Sequence, residues 1–325
     1  MTPPADVITV VGEALVDVIV RAGSDEPALH PGGSPANVAV ALSRLGQRAA
    51  LVTQIGTDDY GALLRAHLET NGVRLVLAGP ADAPTSRAIA HLDAMGAATY
   101  RFELNWDVRD VRLAEDSAGL HVGSLGVVLD PGAEQVRRRV EAVSRWGGVV
   151  ISYDPNVRAS VTPDGRGSAV IAGRMAALAH VVKMSDEDLA FLFPGTTPEQ
   201  LATRLLGPEA GVTQLLVVTQ GPRGAVVATR NSSFSVAAIP IAVVDTVGAG
   251  DAFMAALLAG LADVNLLSTE ALAECATSDG DVLHRIIDQA LAAAALTCAR
   301  PGADPPTAQE LRRFLAERAR QTPMP

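Results

Sequence analysis

The chain has 325 residues, 48% apolar but only 3% aromatic, with 26 basic against 36 acidic side chains and a formal charge of −10. That length suits one large α/β domain with an accessory piece, or two small domains, and an Ala-, Val- and Leu-rich interior suits helices packed on a sheet. An acidic balance with no basic block argues against a nucleic-acid partner, although a local helix N-terminus can still hold an anionic nucleotide.

Charge-free helical runs at 252–262 and 289–299 are too short to cross a bilayer, so no membrane partner is expected. The N-terminal stretch has no basic region and soon reaches Glu13, and Cys275 and Cys298 lack metal-ligand spacing. Together these features read as a cytoplasmic protein with reduced thiols.

Residues 7–11, V-I-T-V-V, form the β-branched run of a strand buried in a parallel sheet. The run leaves into Gly12-Glu13 and then Asp17, and strand exits are where open α/β sheets gather ligand groups. Residues 16–20 read as a short extra strand. Residues 31–39, P-G-G-S-P-A-N-V-A, read as a tight turn and then a helix to Leu45, closed at Gly46. Taken alone, the paired glycines describe only a turn, and Asn37 only a polar residue in a first helical turn. A strand at 50–55, a helix to Glu69 and a short strand at 75–77 follow. Residues 86–93 alternate, turn at Met95-Gly96 and return over 98–104, a hairpin pattern.

From Leu120 the α/β rhythm resumes, with a strand ending at His121 to Ser124 and an amphipathic helix over 133–146. The Arg137 to Arg139 triplet on that helix reads as a solvated face, and His121 as a packed strand-end residue. A strand at 149–153 exits into Asp154-Pro155-Asn156-Val157-Arg158, where the proline presets a turn that aims polar groups at a crevice. Asp154 could equally pair with Arg158 and stiffen the loop. A strand at 180–184 opens into Ser185-Asp186-Glu187-Asp188, a good helix cap. A strand at 215–219 leads to Gly221-Pro222-Arg223-Gly224, which also describes a hairpin turn into 226–229. Residues 263–281 read as an irregular surface insertion, 291–299 as an Ala-rich helix, and 307–319 as a last amphipathic helix before a frayed tail.

The chain is organised around residues 243–253, V-V-D-T-V-G-A-G-D-A-F, which run from a β-type apolar segment at 239–244 through a small-residue loop into an apolar helix at 252–261. Gly248 and Gly250 remove Cβ atoms where a backbone can approach a ligand. The loop delivers free backbone N–H groups at a helix N-terminus, suited to a phosphate or a developing oxyanion. Asp251 stands beside them, and a carboxylate there can take a proton from a hydroxyl attacking phosphorus. The plainer alternative is that Asp245 or Asp251 is a helix cap on an ordinary turn.

The string D-T-V-G-A-G-D-A-F resembles the D-T-x-G-A-G-D-x-F signature of the ribokinase-like (PfkB) family of small-molecule kinases. The likeness runs from Gly12 to Gly302. It implies an α/β three-layer sandwich with a mostly parallel central sheet, one domain over residues 1–325, and a small β-sheet lid built from about 16–30 and 85–107. Gly32, Gly33, Asn37 and Ala39 match the family's G-G-x-x-x-N-x-A, so Gly32 and Gly33 would admit a sugar to the backbone. Asn37 and Asp17 would grip its hydroxyls, and Gly56, Asp58 and Gly61 would shape the sheet edge. The D-P-N-x-R loop is similar to the fructokinase and 2-keto-3-deoxygluconate kinase branch, with Asp154 and Arg158 facing the substrate. Some relatives carry an Arg shortly after the Tyr-x-Phe of the hairpin; Glu103 to Trp106 stand here instead, leaving Asn105 or Trp106 as the substitute.

By the same resemblance, Lys183, Thr219, Gly221, Gly224, Thr246, Gly248, Gly250 and Gly302 would border the nucleotide. The family's N-x-x-E is replaced by Ser185 and Asp188, with Asp188 reaching magnesium through water. Asp251 would be the base, and Gly248, Ala249 and Gly250 the anion hole. ATP and Mg²⁺ are thus expected, and the family leaves room for a monovalent cation such as K⁺ near Asp245 and for a homodimer. The expected activity is phosphorylation of a hydroxymethyl group of a small sugar, fructose foremost. An acidic 2-keto-3-deoxy sugar is the same-class alternative. A Rossmann oxidoreductase is disfavoured because no G-x-G-x-x-G follows the first strand, and a silent sugar sensor because Asp251 is retained.

Overall fold

The computed structural model describes residues 7–23, 26–93, 98–162, 165–208, 210–278 and 280–321. In chain order the first third contains β1 (Val7–Val11), β2 (Leu15–Arg21), β3 (Ala28–Gly32), α1 (Ser34–Arg44), β4 (Arg48–Thr53), α2 (Asp59–Thr70), β5 (Arg74–Leu77), β6 (Ser86–Leu92) and β7 (Ala98–Glu103). There follow β8 (Ser117–Gly123), a 3-10 turn (Ser124–Val127), α3 (Gly132–Trp146), β9 (Val150–Asp154), α4 (Gly165–Leu178), β10 (Val181–Ser185), α5 (Asp186–Leu192) and α6 (Pro198–Leu206). The last third is β11 (Leu215–Thr219), β12 (Ala225–Thr229), β13 (Ser233–Val236), α7 (Ala249–Asp263), α8 (Thr269–Ser278), α9 (Gly280–Cys298) and α10 (Ala308–Gln321).

Nine strands form one sheet in the order β13-β12-β11-β10-β9-β8-β1-β4-β5. Its pairs are parallel from β5 through β11; β12 alone is reversed, pairing antiparallel with both β11 and β13. Continuous apolar strands are explained by helices on both faces. On β1, Ile8 and Val10 join a core with α1, α2, α7 and α9, whereas Val11 faces the other core with α3, α4, α5 and α6. This is the expected three-layer sandwich. Helix α7 is apolar all round because the sheet covers one side and α9 the other, and every residue from Asp251 to Leu261 is buried. Contact with α9 is so close that a Cβ on Gly260 would lie 2.8 Å from Ile286.

A second sheet of four strands, β3-β2-β6-β7, uses β2 and β6 as a parallel central pair with antiparallel neighbours. Asp58 fastens it to the main layer by capping α2 through the Gly61 N–H at 2.8 Å and accepting the Thr85 N–H at 2.9 Å. The turn expected at Met95-Gly96 lies outside the described residues.

Several sequence expectations need correction. Residues 237–248 form no strand: Pro240 cannot donate to a ladder, Val243 and Val244 are each 62% exposed, and the Val244 and Asp245 N–H groups bond the Cys298 carbonyl instead. Residues 263–281 are not an irregular insertion, since α8 begins after Ser268, whose hydroxyl accepts the Ala271 N–H, and it buries Leu272 and Cys275. The reading found neither α4 nor α6, although Thr197 and Gln200 form a capping box at the head of α6. Arg137 is not solvated like its neighbour Arg138; it is 12% exposed and donates to the Val127 carbonyl at 2.9 Å. Among the described residues no helix is long and apolar enough to cross a membrane.

Candidate active site

The parallel strands all end on one edge, where register sets Gly123 beside Asp154 and Ser185 beside Thr219. The N-termini of α1 and α7 close over this edge. Gly248 is the N-cap of α7 at φ 75, and a Cβ there would stand 2.7 Å from Ala303. Only glycine fits both constraints. The first-turn N–H groups of α7 have no intrahelical partner and carry the positive end of the helix dipole. Ala249 is the exception to the expected anion hole, for its N–H reaches back to the Thr246 carbonyl at 3.3 Å.

Asp251 lies in this first turn and is 5% exposed. Both of its oxygens are held from α1: Ser34 Oγ donates to Oδ1 at 2.7 Å, and Asn37 Nδ2 donates to Oδ2 at 2.8 Å. Asn37 therefore bonds the carboxylate in this structure, where the sequence reading gave it to a sugar hydroxyl. Ser34 was missed, and its only signal was its place three residues before Asn37 on the same helical face.

Beneath the α7 loop, Lys183 on β10 donates to Asp154 Oδ2 at 2.8 Å, and its ammonium lies 3.1 Å from the position of a Cβ on Gly250. Asp154 is 2% exposed and also accepts the Asn156 N–H at 3.2 Å. It is thus an internal counter-ion to Lys183, which corrects both its expected substrate contact and its alternative pairing with Arg158. Burial lifts the Asp154 carboxyl to about 6 against the pull of Lys183, with Asp188 and Asp251 adding to the rise. Burial pulls Lys183 down, but the Asp154, Asp188 and Asp251 carboxylates outweigh it and hold the group above the ordinary lysine value. The result is a fixed cation under the loop that opens α7.

Ser185 and Asp188 form a reciprocal cap on α5, with Ser185 Oγ accepting the Asp188 N–H and Asp188 Oδ2 accepting the Ser185 N–H, both at 2.9 Å. Asp188 Oδ1 accepts the Val157 N–H at 2.8 Å, so this carboxylate ties α5 to the loop after β9. Among the described residues no group of three His, Cys, Asp or Glu is placed to hold a metal ion. Among the residues expected to border a nucleotide, Thr219 Oγ1 bonds the Met184 carbonyl at 3.4 Å. Gly224, at φ 97, turns so tightly that a Cβ would meet the Val236 carbonyl, whereas Gly221 faces open space. Asp245 accepts the Val247 and Gly302 N–H groups at 3.0 and 2.9 Å, joining the loop around Thr246 to Gly302.

The acceptor side is looser. Asp17 on β2 is half-buried, and a Cβ on Gly32 would stand 2.5 Å from its Oδ2. Gly33, at φ 99, rests against the Glu13 carbonyl. Burial lifts the Asp17 carboxyl, and the positive charges of Arg158 and His30 oppose the rise. Arg158 is exposed yet close enough to act on both Asp17 and Glu13. Asn105 pairs through its backbone with Ser86 Oγ, leaving its half-buried amide without a hydrogen bond among the described residues. Trp106 is 4% exposed and donates from Nε1 to the Gly126 carbonyl at 3.0 Å, a packing role. Arg101 points outward, as alternation predicts, and pairs with Glu103. Glu13 was visible at the exit of the first strand but was assigned no role from sequence. It is 5% exposed, its Oε2 accepts the Gly126 N–H at 2.9 Å, and burial lifts its carboxyl to about 7 against the Ser124 hydroxyl, backbone N–H donors and Arg158.

Comparison with known proteins agrees with this geometry. Residues 6–310 match the family model described as pfkB family carbohydrate kinase. A fructokinase of Klebsiella pneumoniae is 36% identical over 266 residues, covering 78% of this chain and 84% of the relative. The crystal structure of a Xylella fastidiosa fructokinase with bound ATP superposes with a TM-score of 0.82 at 27% identity, covering 96% of this chain and 99% of that one. A fructokinase double mutant of Vibrio cholerae O395, solved in fructose-, ADP- and potassium-bound form, gives a TM-score of 0.76 at 27% identity, with coverage of 97% and 100%. With the family model spanning residues 6–310 and a relative 36% identical over most of both chains, the chain belongs to the pfkB family of carbohydrate kinases.

Proposed function

We propose that this sugar kinase transfers the γ-phosphoryl group of ATP to a hydroxymethyl group of fructose. The observation that carries the reading is the Asp251 carboxylate, oriented by Ser34 and Asn37 at the N-terminus of α7, with the Lys183 ammonium beneath the same loop. Asp251 takes the proton of the sugar hydroxyl as its oxygen forms a bond to phosphorus and the bond to the ADP oxygen breaks. The N–H groups of Gly248 and Gly250 and the Lys183 charge stabilise the transferring phosphoryl, so catalysis is mainly positioning and electrostatics. Asp17 holds sugar hydroxyls where Gly32 and Gly33 admit the ring, the Asn105 amide offers a further polar contact, and the small sheet acts as a lid. Thr219, Gly221, Gly224, Thr246 and Gly302 border the nucleotide.

Magnesium supplies charge neutralisation on the phosphates when it arrives with the nucleotide. Both Asp188 oxygens already accept backbone N–H groups, so this residue holds the loop. A monovalent cation near Asp245 would have to share a carboxylate that the Val247 and Gly302 N–H groups already occupy.

A neutral sugar is favoured over an acidic one because Arg158 shares its surroundings with two carboxylates, Asp17 and Glu13. A substrate carboxylate would meet that repulsion with only the exposed Arg158 and His30 to offset it. The test is a coupled ATP-consumption screen over fructose, 2-keto-3-deoxygluconate, ribose, tagatose and adenosine. Fructose is expected to give the highest kcat/KM, and turnover confined to the acidic sugar would overturn the assignment.

A further inference from the structure

Glu13 takes no part in the transfer just described, yet it touches two walls of the acceptor side. Its carbonyl oxygen lies 2.6 Å from the position of a Cβ on Gly33, so the turn that admits the sugar rests on the Glu13 backbone. Its carboxylate binds the Gly126 N–H, and the Gly126 carbonyl in turn accepts Trp106 Nε1–H. Trp106 follows β7, the outer strand of the small sheet, and its own carbonyl accepts the Gly132 N–H at the head of α3. Gly126 is pressed so closely on the exit of β1 that a Cβ there would stand 2.8 Å from the Gly12 Cα.

The 3-10 turn of residues 124–127 is thus gripped on one side by the main sheet and on the other by the end of the small sheet. It begins with Ser124 at φ 50, and Ser124 lines a small cavity together with Asn156 and Arg158 of the D-P-N-x-R loop. A carboxylate so buried is a costly way to fill space, and an apolar side chain of similar size would pack more cheaply. Only an acceptor can hold the Gly126 N–H in this place. The groups facing the carboxylate are the Ser124 hydroxyl, the Gly126 N–H and the Arg158 guanidinium.

We propose that Glu13 is a positioning residue for the acceptor pocket: by fixing the 124–127 turn against the Gly33 turn, in concert with Trp106, it sets the spacing between the main-sheet and small-sheet walls that receive the sugar. The kinetic readout rests on the sugar-kinase reading; the exchange readout below does not. The test compares Glu13→Ala, Glu13→Gln and Trp106→Phe in steady-state kinetics, with hydrogen–deuterium exchange over residues 120–132.

Glu13→Ala is expected to raise the fructose KM about tenfold, the scale of one hydrogen bond to a charged group, while the ATP KM and kcat stay close to wild type. Glu13→Gln keeps an oxygen for the Gly126 N–H and should recover most of that loss. Trp106→Phe, which keeps the ring but loses Nε1–H, should move the fructose KM the same way by a smaller factor. Exchange in the turn should quicken in the alanine variant and return to normal in the glutamine variant. An unchanged fructose KM in folded Glu13→Ala, an equal rise in both KM values, or a glutamine variant no better than alanine would each overturn the proposal. Should Glu13→Ala fail to fold, wild-type exchange and wild-type fructose KM in Trp106→Phe would overturn it as well. A wild-type enzyme inert on every sugar would sink the kinase reading, and the exchange comparison would still decide the role of Glu13.

Discussion

The two halves of the crevice are built differently. At the proposed phosphoryl-transfer end, four charged groups are buried and bonded: Asp251 to Ser34 and Asn37, Lys183 to Asp154, and Asp188 to two backbone N–H groups. At the acceptor end, Asp17 is half-buried, Arg158 is exposed, and the Asn105 amide has no hydrogen bond among the described residues. Buried, mutually bonded groups cannot reorganise, which is what a low-barrier transfer needs. Half-open polar groups keep their hydrogen-bonding capacity for a ligand. The contrast separates a fixed chemical engine from an adjustable substrate wall.

Lys183→Met should break the first half most severely after the base itself. Loss of a preorganised charge is expected to lower kcat by roughly 10²–10³. It also strands Asp154, so stability should fall by about 3–5 kcal/mol. The double variant Lys183→Met/Asp154→Asn separates the two effects, because it should regain stability in thermal melts without regaining kcat. Recovery of turnover in the double variant would show that Lys183 is only structural.

On the acceptor side, Asp17→Asn should raise the fructose KM by about ten- to a hundredfold, the range for a hydrogen bond to a charged group, with kcat much less affected. Arg158→Ala should change fructose KM by no more than a few fold. A larger effect from Arg158 than from Asp17 in the same assay would reverse the picture of a neutral-sugar pocket.

The contrast also carries a pH dependence of stability. The Glu13 carboxyl is lifted by burial from its ordinary value of 4.5 to about 7. Between those values the native state binds more protons than the unfolded chain, so this group makes stability fall as pH rises through the window, by up to about 3 kcal/mol. Asp154, lifted to about 6, acts with the same sign. Glu13→Gln should therefore melt progressively higher relative to wild type between pH 5 and pH 8. A difference constant across that range would contradict the burial account of Glu13.

Much of the engine was legible in the sequence because its parts are contiguous. The loop glycines, Asp251 and the helix that follows sit in one string, and a strand–loop–helix anion site is a local device. Partners were not legible. Ser34 and Asp251 are 217 positions apart, and only the fold brings α1 against α7. Lys183 and Asp154 were both recognised as polar strand ends, but their pairing follows from adjacent parallel strands, a fact of sheet order. Glu13 gave no signal, since one acid after an apolar strand looks like any strand exit until the Gly126 turn is seen above it. The missed strand break at 237–248 has a similar origin, for apolar residues that look buried in sequence stand exposed beside the crevice.

The account stands or falls on Asp251→Asn. Asparagine keeps the size of the side chain and cannot accept the hydroxyl proton, so kcat with fructose and ATP should fall by roughly 10²–10⁴, the range for a general base. Calorimetric affinity for fructose and thermal stability should stay near wild type. A variant that turns over at the wild-type rate would remove Asp251 from the chemistry and contradict the central claim.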